Sequence, residues 1–200
     1  PRERCEQAWA GLGNLRDASG DERLYRRWVA ATAQLNTELY VEGLAQVPVY
    51  NHQSHTKLPP RRDGRLQLFD CLACDKCIPV CPNDANFRLL LPGLEISVFR
   101  LLPGAAGWTA ARHDTLRTEK DHQIGNFADL CNECGNCDTF CPEHGGPYRI
   151  KPRFFGSLLA WRTRPDGDGF YAEGQPEAGR IWGRLDGVEY LVEVETGKAA

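Results

Sequence analysis

Methionine is missing altogether from this 200-residue chain. A free-standing gene product needs an initiator, so the sequence is expected to be part of a longer polypeptide, with Pro1-Arg2-Glu3-Arg4 in mid-course. A dominant charge is missing too. Twenty-four Lys and Arg against 27 Asp and Glu leave a formal net charge of −3, so no global basic field points to nucleic acid. Long apolar runs are absent: stretches such as residues 89–91 are far too short to span a membrane. No signal peptide opens the sequence, and no glycine-rich dinucleotide fingerprint lies within residues 1–60. Any FAD, FMN or NAD(P) site is therefore expected in partner domains or chains.

What the chain does have is cysteine, nine in all, and eight of them form one run twice. Cys71, Cys74, Cys77 and Cys81 precede Pro82, and Cys131, Cys134, Cys137 and Cys141 precede Pro142. Each run reads C-x2-C-x2-C-x3-C-P, which is the ligation pattern of bacterial ferredoxins. A cubane cluster needs four thiolates arranged around a tetrahedron of irons. One tight loop supplies three, and the proline-terminated step carries the fourth away from them. In two-cluster ferredoxins that fourth cysteine serves the other cluster. The expectation is two [4Fe-4S] clusters, one on Cys71, Cys74, Cys77 and Cys141, the other on Cys131, Cys134, Cys137 and Cys81.

Two other chemistries use clustered cysteines. Zinc ribbons place two C-x2-C pairs around a spacer, giving four ligands rather than two runs of four. A disulfide framework needs an oxidising compartment and usually a small secreted domain. An unsignalled, cluster-binding chain belongs instead in a reducing cytoplasm. Cys5 stands apart, on the apolar side of a predicted helix, as a buried structural thiol.

The expected fold class is α+β. Residues 1–60 read as a helical extension and connector, residues 61–156 as a two-cluster ferredoxin-like core, and residues 157–200 as a β-rich tail. Cys5, Ala8, Trp9, Leu12 and Leu15 recur at helical spacing. Ser19 and Glu22 fit a capping box opening a second helix, whose apolar face is Leu24, Trp28, Ala31, Leu35 and Leu39. Pro48, Pro59, Pro60 and Gly64 break regular structure. His52 and His55, with Lys57, Arg61, Arg62 and Arg65, read as solvated loop residues; a functional alternative is docking to a flavoprotein domain.

Within the core, residues 66–69 alternate as a short strand leading into Cys71. Residues 83–86 suggest a helical turn and residues 87–91 a returning strand. Residues 148–155 are the matching strand of the second half. Sixty positions separate Cys71 from Cys131; the resemblance to compact two-cluster ferredoxins implies roughly half that separation, so residues from about 92 to 126 read as an insertion. Ile96, Val98, Phe99 and Leu101 suggest a strand within it. His113 and His122 read as surface histidines. In the tail, Asp166-Gly167-Asp168-Gly169 is a turn signal rather than a calcium loop, and three short strands follow.

Residues around the runs are expected to tune a bound cluster. Gly135 lets the backbone approach it, and Ile78, Val80, Phe87, Phe127 and Phe140 are placed to shield it from water. Lys76 favours a higher potential, and Asp75, Glu133 and Asp138 a lower one.

Cys131-Asn132-Glu133-Cys134-Gly135-Asn136-Cys137, with Phe140-Cys141-Pro142 and Gly146-Pro147-Tyr148, resembles the carboxy-terminal ferredoxin module of the family labelled selenate reductase. Cys77-Ile78-Pro79-Val80-Cys81-Pro82-Asn83 fits the same module. The resemblance covers mainly residues 66–155. These large flavin-dependent oxidoreductases are similar to dihydropyrimidine dehydrogenase and to the small subunit of glutamate synthase, and the family label says little about the substrate. The resemblance implies a module that passes electrons between FAD or FMN sites and a partner active site, with no substrate-converting site of its own. An autonomous ferredoxin-like carrier and a structural metal-binding interaction module are the alternatives.

Overall fold

The structure is a computed structural model, and it describes residues 9–13, 15, 18, 20–46, 53, 61–66, 68, 70–91, 93, 95–104, 107–117, 120–175 and 177–195. Cys5, His52, His55, Lys57 and Ser19 lie outside the described residues.

One long helix, α1 (Glu22–Leu44), precedes the sheet. Asp21 caps it, accepting hydrogen bonds from the backbone N–H of Arg23 (2.8 Å) and Leu24 (3.1 Å). Its buried residues are Tyr25, Trp28, Thr32 and Asn36, and Leu24 is exposed. The inward face is therefore rotated from the all-apolar stripe expected, because polar anchors set it. The Asn36 amide donates to Asn83 O (2.8 Å), and the Tyr25 hydroxyl donates to Asp129 Oδ2 (2.5 Å). Asn83 lies two residues after Cys81 and Asp129 two residues before Cys131, so α1 grips both halves of the cysteine-bearing core. Residues 9–12 are also helical, and Trp9 meets Trp28 edge to face at 6.3 Å.

Six strands form one mixed sheet in the order β1 (Asn86–Leu90), β4 (His122–Phe127), β5 (Arg153–Phe155), β6 (Gly169–Gln175), β7 (Ala178–Leu185) and β8 (Val188–Glu195). Strands β1 and β4 are antiparallel, β4–β5 and β5–β6 parallel, and β6–β7–β8 antiparallel. The chain is thus α+β. The three tail strands, a small C-terminal β appendage in the sequence reading, continue the core sheet through β5. On one face, Phe87, Phe154 and Phe170 form a row with centroids 5.6 and 5.8 Å apart. Gly125, opposite Phe87 in the ladder, makes room for it: a Cβ there would lie 2.7 Å from the ring.

Strands β2 (Glu95–Gly104) and β3 (Gly107–Arg117) pair only with each other, as a two-stranded hairpin. It accounts for most of the segment read as inserted. Residues 122–126 of that segment belong instead to β4 and the main sheet. Three short helices complete the described elements: α2 (Asn136–Phe140), α3 (Pro147–Ile150) and α4 (Leu158–Thr163). The strand expected over residues 148–155 is split, because the chain turns through α3 before only residues 153–155 pair. No strand forms over the described part of 66–69; just before it, Arg65 makes a single bridge to His144. Residues 83–85 hold no helical turn, and Asn86 already belongs to β1. Among the described residues no helix is long and apolar enough to cross a membrane.

Candidate metal centre

The two cysteine runs fold alike, and their backbone shows it residue by residue. Ala73 (φ 50°) and Asp75 (φ 59°) in the first loop correspond to Glu133 (φ 56°) and Gly135 (φ 79°) in the second. Three of these four are not glycine, so the left-handed conformation is held against its usual cost. Left-handed residues spaced in this way turn successive N–H groups toward one concave side, a geometry that suits anions and iron–sulfur centres. Gly135 also opens α2 as its N-cap residue.

Burial repeats for the second and third cysteines of each run but not for the first and fourth. Cys77 and Cys137 are buried, and Cys74 and Cys134 are exposed. Cys71 and Cys141 are buried, Cys81 and Cys131 half-buried, and all eight are free thiols.

A small cavity of about 20 Å³ lies beside the first loop. Its wall contains Cys71, Cys74, Cys77 and, from the second run, Cys141, together with Leu66, Ile124 and Pro147. Burial pushes the Cys77 thiol well above the ordinary range, and Cys137, Cys74, Cys141 and Cys71 add to the shift. Cys81, Cys131 and Cys137 make a second neighbourhood. Burial raises Cys81, and Cys131 adds to it. Burial pushes Cys137 up to about 11, with Cys131 and Cys81 contributing. Cys141 of the second run thus lines the cavity with the first loop's cysteines, and Cys81 lies within electrostatic reach of Cys131. Among the described residues, no three His, Cys, Asp or Glu side chains converge closely enough to hold a single ion.

Backbone and amide groups oppose the burial. Ala73 N donates to Cys71 Sγ (3.4 Å) and Ala85 N to Cys81 Sγ (3.2 Å). Beneath the loops runs a buried amide network. Asn86 Nδ2 donates to Cys77 O (2.9 Å), Asn126 Nδ2 donates to Asn86 Oδ1 (2.9 Å), and Cys71 N donates to Gln123 Oε1 (3.2 Å). Asn86 also hydrogen-bonds Cys137, so one side chain touches both runs.

The charged surroundings differ in part from the sequence reading. Asp75 is tied to Arg88 and to His122 Nε2 (2.9 Å), and Asp121 holds His122 Nδ1 (2.6 Å). Burial acts to raise Asp75, but the hydrogen bonds from Arg88 and His122 outweigh it and hold the carboxyl below its ordinary value. Hydrogen bonds to Asp121 and Asp75 raise His122. His122 therefore bolts the base of the inserted segment to the first loop, rather than standing as a bare surface histidine. His113 meets Arg100 on the hairpin, away from the cysteines. Among the shielding residues, Val80 is buried and Ile78 packs beside the cysteines, whereas Phe87 and Phe127 line the aromatic groove with Phe154.

Lys151 is the residue that sequence reasoning missed. It is only 1% exposed, and it lines the cavity with the four cysteines. The signal was weak: a lysine between Ile150 and Pro152 in an apolar stretch.

The fold and the site define an α+β protein that gathers free thiols around a cavity. By sequence it is similar to an oxidoreductase. The chain is 30% identical over 123 residues, 62% of its length, to "Putative oxidoreductase YgfK" of Escherichia coli K12, and equally to that of Escherichia coli O157:H7. It spans 9% of the length of these relatives. No family model matches the chain, and no solved structure matches it.

Proposed function

We propose that this chain is an electron-transfer module of a larger flavin-dependent oxidoreductase, carrying two [4Fe-4S] clusters. The observation that carries the reading is Cys141, which shares a cavity wall with Cys71, Cys74 and Cys77 of the other run. Cys71, Cys74, Cys77 and Cys141 would hold one cluster, and Cys131, Cys134, Cys137 and Cys81 the other. Two runs of four thiols give eight donors, twice what one zinc site takes.

Each cluster, when bound, supplies a one-electron carrier whose potential follows burial and hydrogen bonding to its sulfurs. The chain's own part is to place thiolates and turn N–H groups inward from two left-handed loops. Leu66, Ile124 and Val80 keep water out. The loops share the Asn86–Asn126 network, so filling one should order the other. The buried thiols must lose protons when metal binds, so loading is favoured as pH rises. The similarity to a far longer oxidoreductase supports a partner that supplies FAD or FMN and the substrate site. A reducing cytoplasm is the compartment that this chemistry suits.

Serine variants test the ligand sets. C141S and C74S should abolish the same low-temperature EPR signal, and C81S and C134S the other, each leaving about four irons per chain. If C141S instead removes the signal that C134S removes, each run serves its own centre and the crossed arrangement is wrong.

A further inference from the structure

We propose that Lys151 is a buried cation that raises the reduction potential of the centre on Cys71, Cys74, Cys77 and Cys141 above that of the other, so that an electron shared between them rests there. This rests on the cluster reading above.

Lys151 heads the fully buried side chains among the described residues. The backbone fixes its position: it ends α3, its N–H donates to Pro147 O (3.0 Å), and the buried Pro152 follows. Its side chain hydrogen-bonds Cys71 and lines the cavity. Burying an ammonium group costs several kcal/mol unless opposite charge and hydrogen bonds compensate. Burial lowers its proton affinity, and Cys71, Glu143 and Asp70 oppose that. The four cysteines of the cavity wall that it lines would add negative charge beside it as thiolates.

Other charges near the cavity weigh less. Lys76 is exposed, and solvent screens it. Asp75 is matched by Arg88 and His122. Glu143 is half-buried and of opposite sign. Among the described residues the other buried cation is Arg184, which pairs with Glu189 and stacks on Trp161, away from both cysteine groups. The second cysteine neighbourhood therefore has no buried cation of its own among the described residues. A buried positive charge favours the reduced, more negative state of the centre that it adjoins.

The test is an EPR-monitored potentiometric titration of the iron-loaded wild type, K151M and K151R. In K151M, the signal that C141S removes should move to lower potential. Electron partition between the centres should change at least tenfold, about 59 mV for a one-electron couple. The other signal should stay in place, and K151R should stay near wild type. Unmoved midpoints in K151M, or two midpoints lowered equally, overturn the proposal and leave the cluster reading intact. A wild type without reducible iron overturns both. If K151M does not load, hyperfine spectroscopy decides on a chain with 15N-labelled lysine and Arg at positions 76 and 120. A 15N coupling on the C141S-sensitive signal supports the contact, and its absence overturns it.

Discussion

At the residue scale, position in a short local pattern and position in a packed interior carry different information. The eight cysteines belong to the first kind. Their spacing fixes a loop geometry that neighbours cannot override, and the matching left-handed residues at 73, 75, 133 and 135 agree with it. Lys151 belongs to the second kind, because its burial depends on Cys71, Glu143 and Pro147, brought together only by the fold. His122 is similar: only the β1–β4 pairing puts it beside Asp75. That contact gives a pH-dependent prediction. His122 is raised, so its contribution is full below its unfolded value of about 6.5 and fades as pH rises through the higher folded value. Asp75 is lowered, so its contribution holds above about 3.9 and fades as pH falls through the lower folded value. H122A should therefore cost about 0.5 kcal/mol near pH 5.5 and almost nothing at pH 9, read from urea midpoints at the two pH values. An equal cost at both would show that the imidazole acts by packing alone.

At the scale of elements, α1 was legible as a helix, but not the face it buries. Apolar spacing favoured Leu24 and Leu35, while Tyr25 and Asn36 win the interior through bonds to Asp129 and Asn83. Polar anchors of this kind have no periodic signature. The Asp129 carboxylate is about 5% exposed and takes bonds from Tyr25 and from Gly156 N (3.0 Å). Y25F should therefore cost about 1–3 kcal/mol in chemical denaturation, by leaving a buried acceptor short of a donor. A cost below a few tenths would mean that Arg164 or water replaces the hydroxyl. The hairpin behaves differently. Leu90 faces His122, and Leu91 N still donates to Asp121 O (2.8 Å), so the ladder closes at the hairpin's base. Replacing residues 95–117 by a short Gly/Ser turn should leave the unfolding free energy from urea titration within about 0.5 kcal/mol of wild type. A larger loss would show that the hairpin stabilises the core sheet.

At the scale of the molecule, the α+β class and the paired runs could be read from sequence, and the strand order could not. The parallel β4–β5–β6 steps join segments far apart in the chain, and no local residue pattern announces them. The same holds for the unity of the sheet: a tail that reads as an appendage is continuous with the strands beneath the cysteines. Because both thiol groups share the Asn86–Asn126 network, cofactor and fold should be lost together. Chelator-driven removal of metal should lower the thermal midpoint of the whole chain in one transition. Two separate transitions would show that the cysteine loops melt alone.

The central claim is tested most directly by anaerobic EPR during a stepwise reductive titration, with iron and zinc measured in the same sample. The account predicts about eight irons per chain and two reduced-state signals that interact magnetically. Stoichiometric zinc, or full metal loading with no reducible centre, would contradict it.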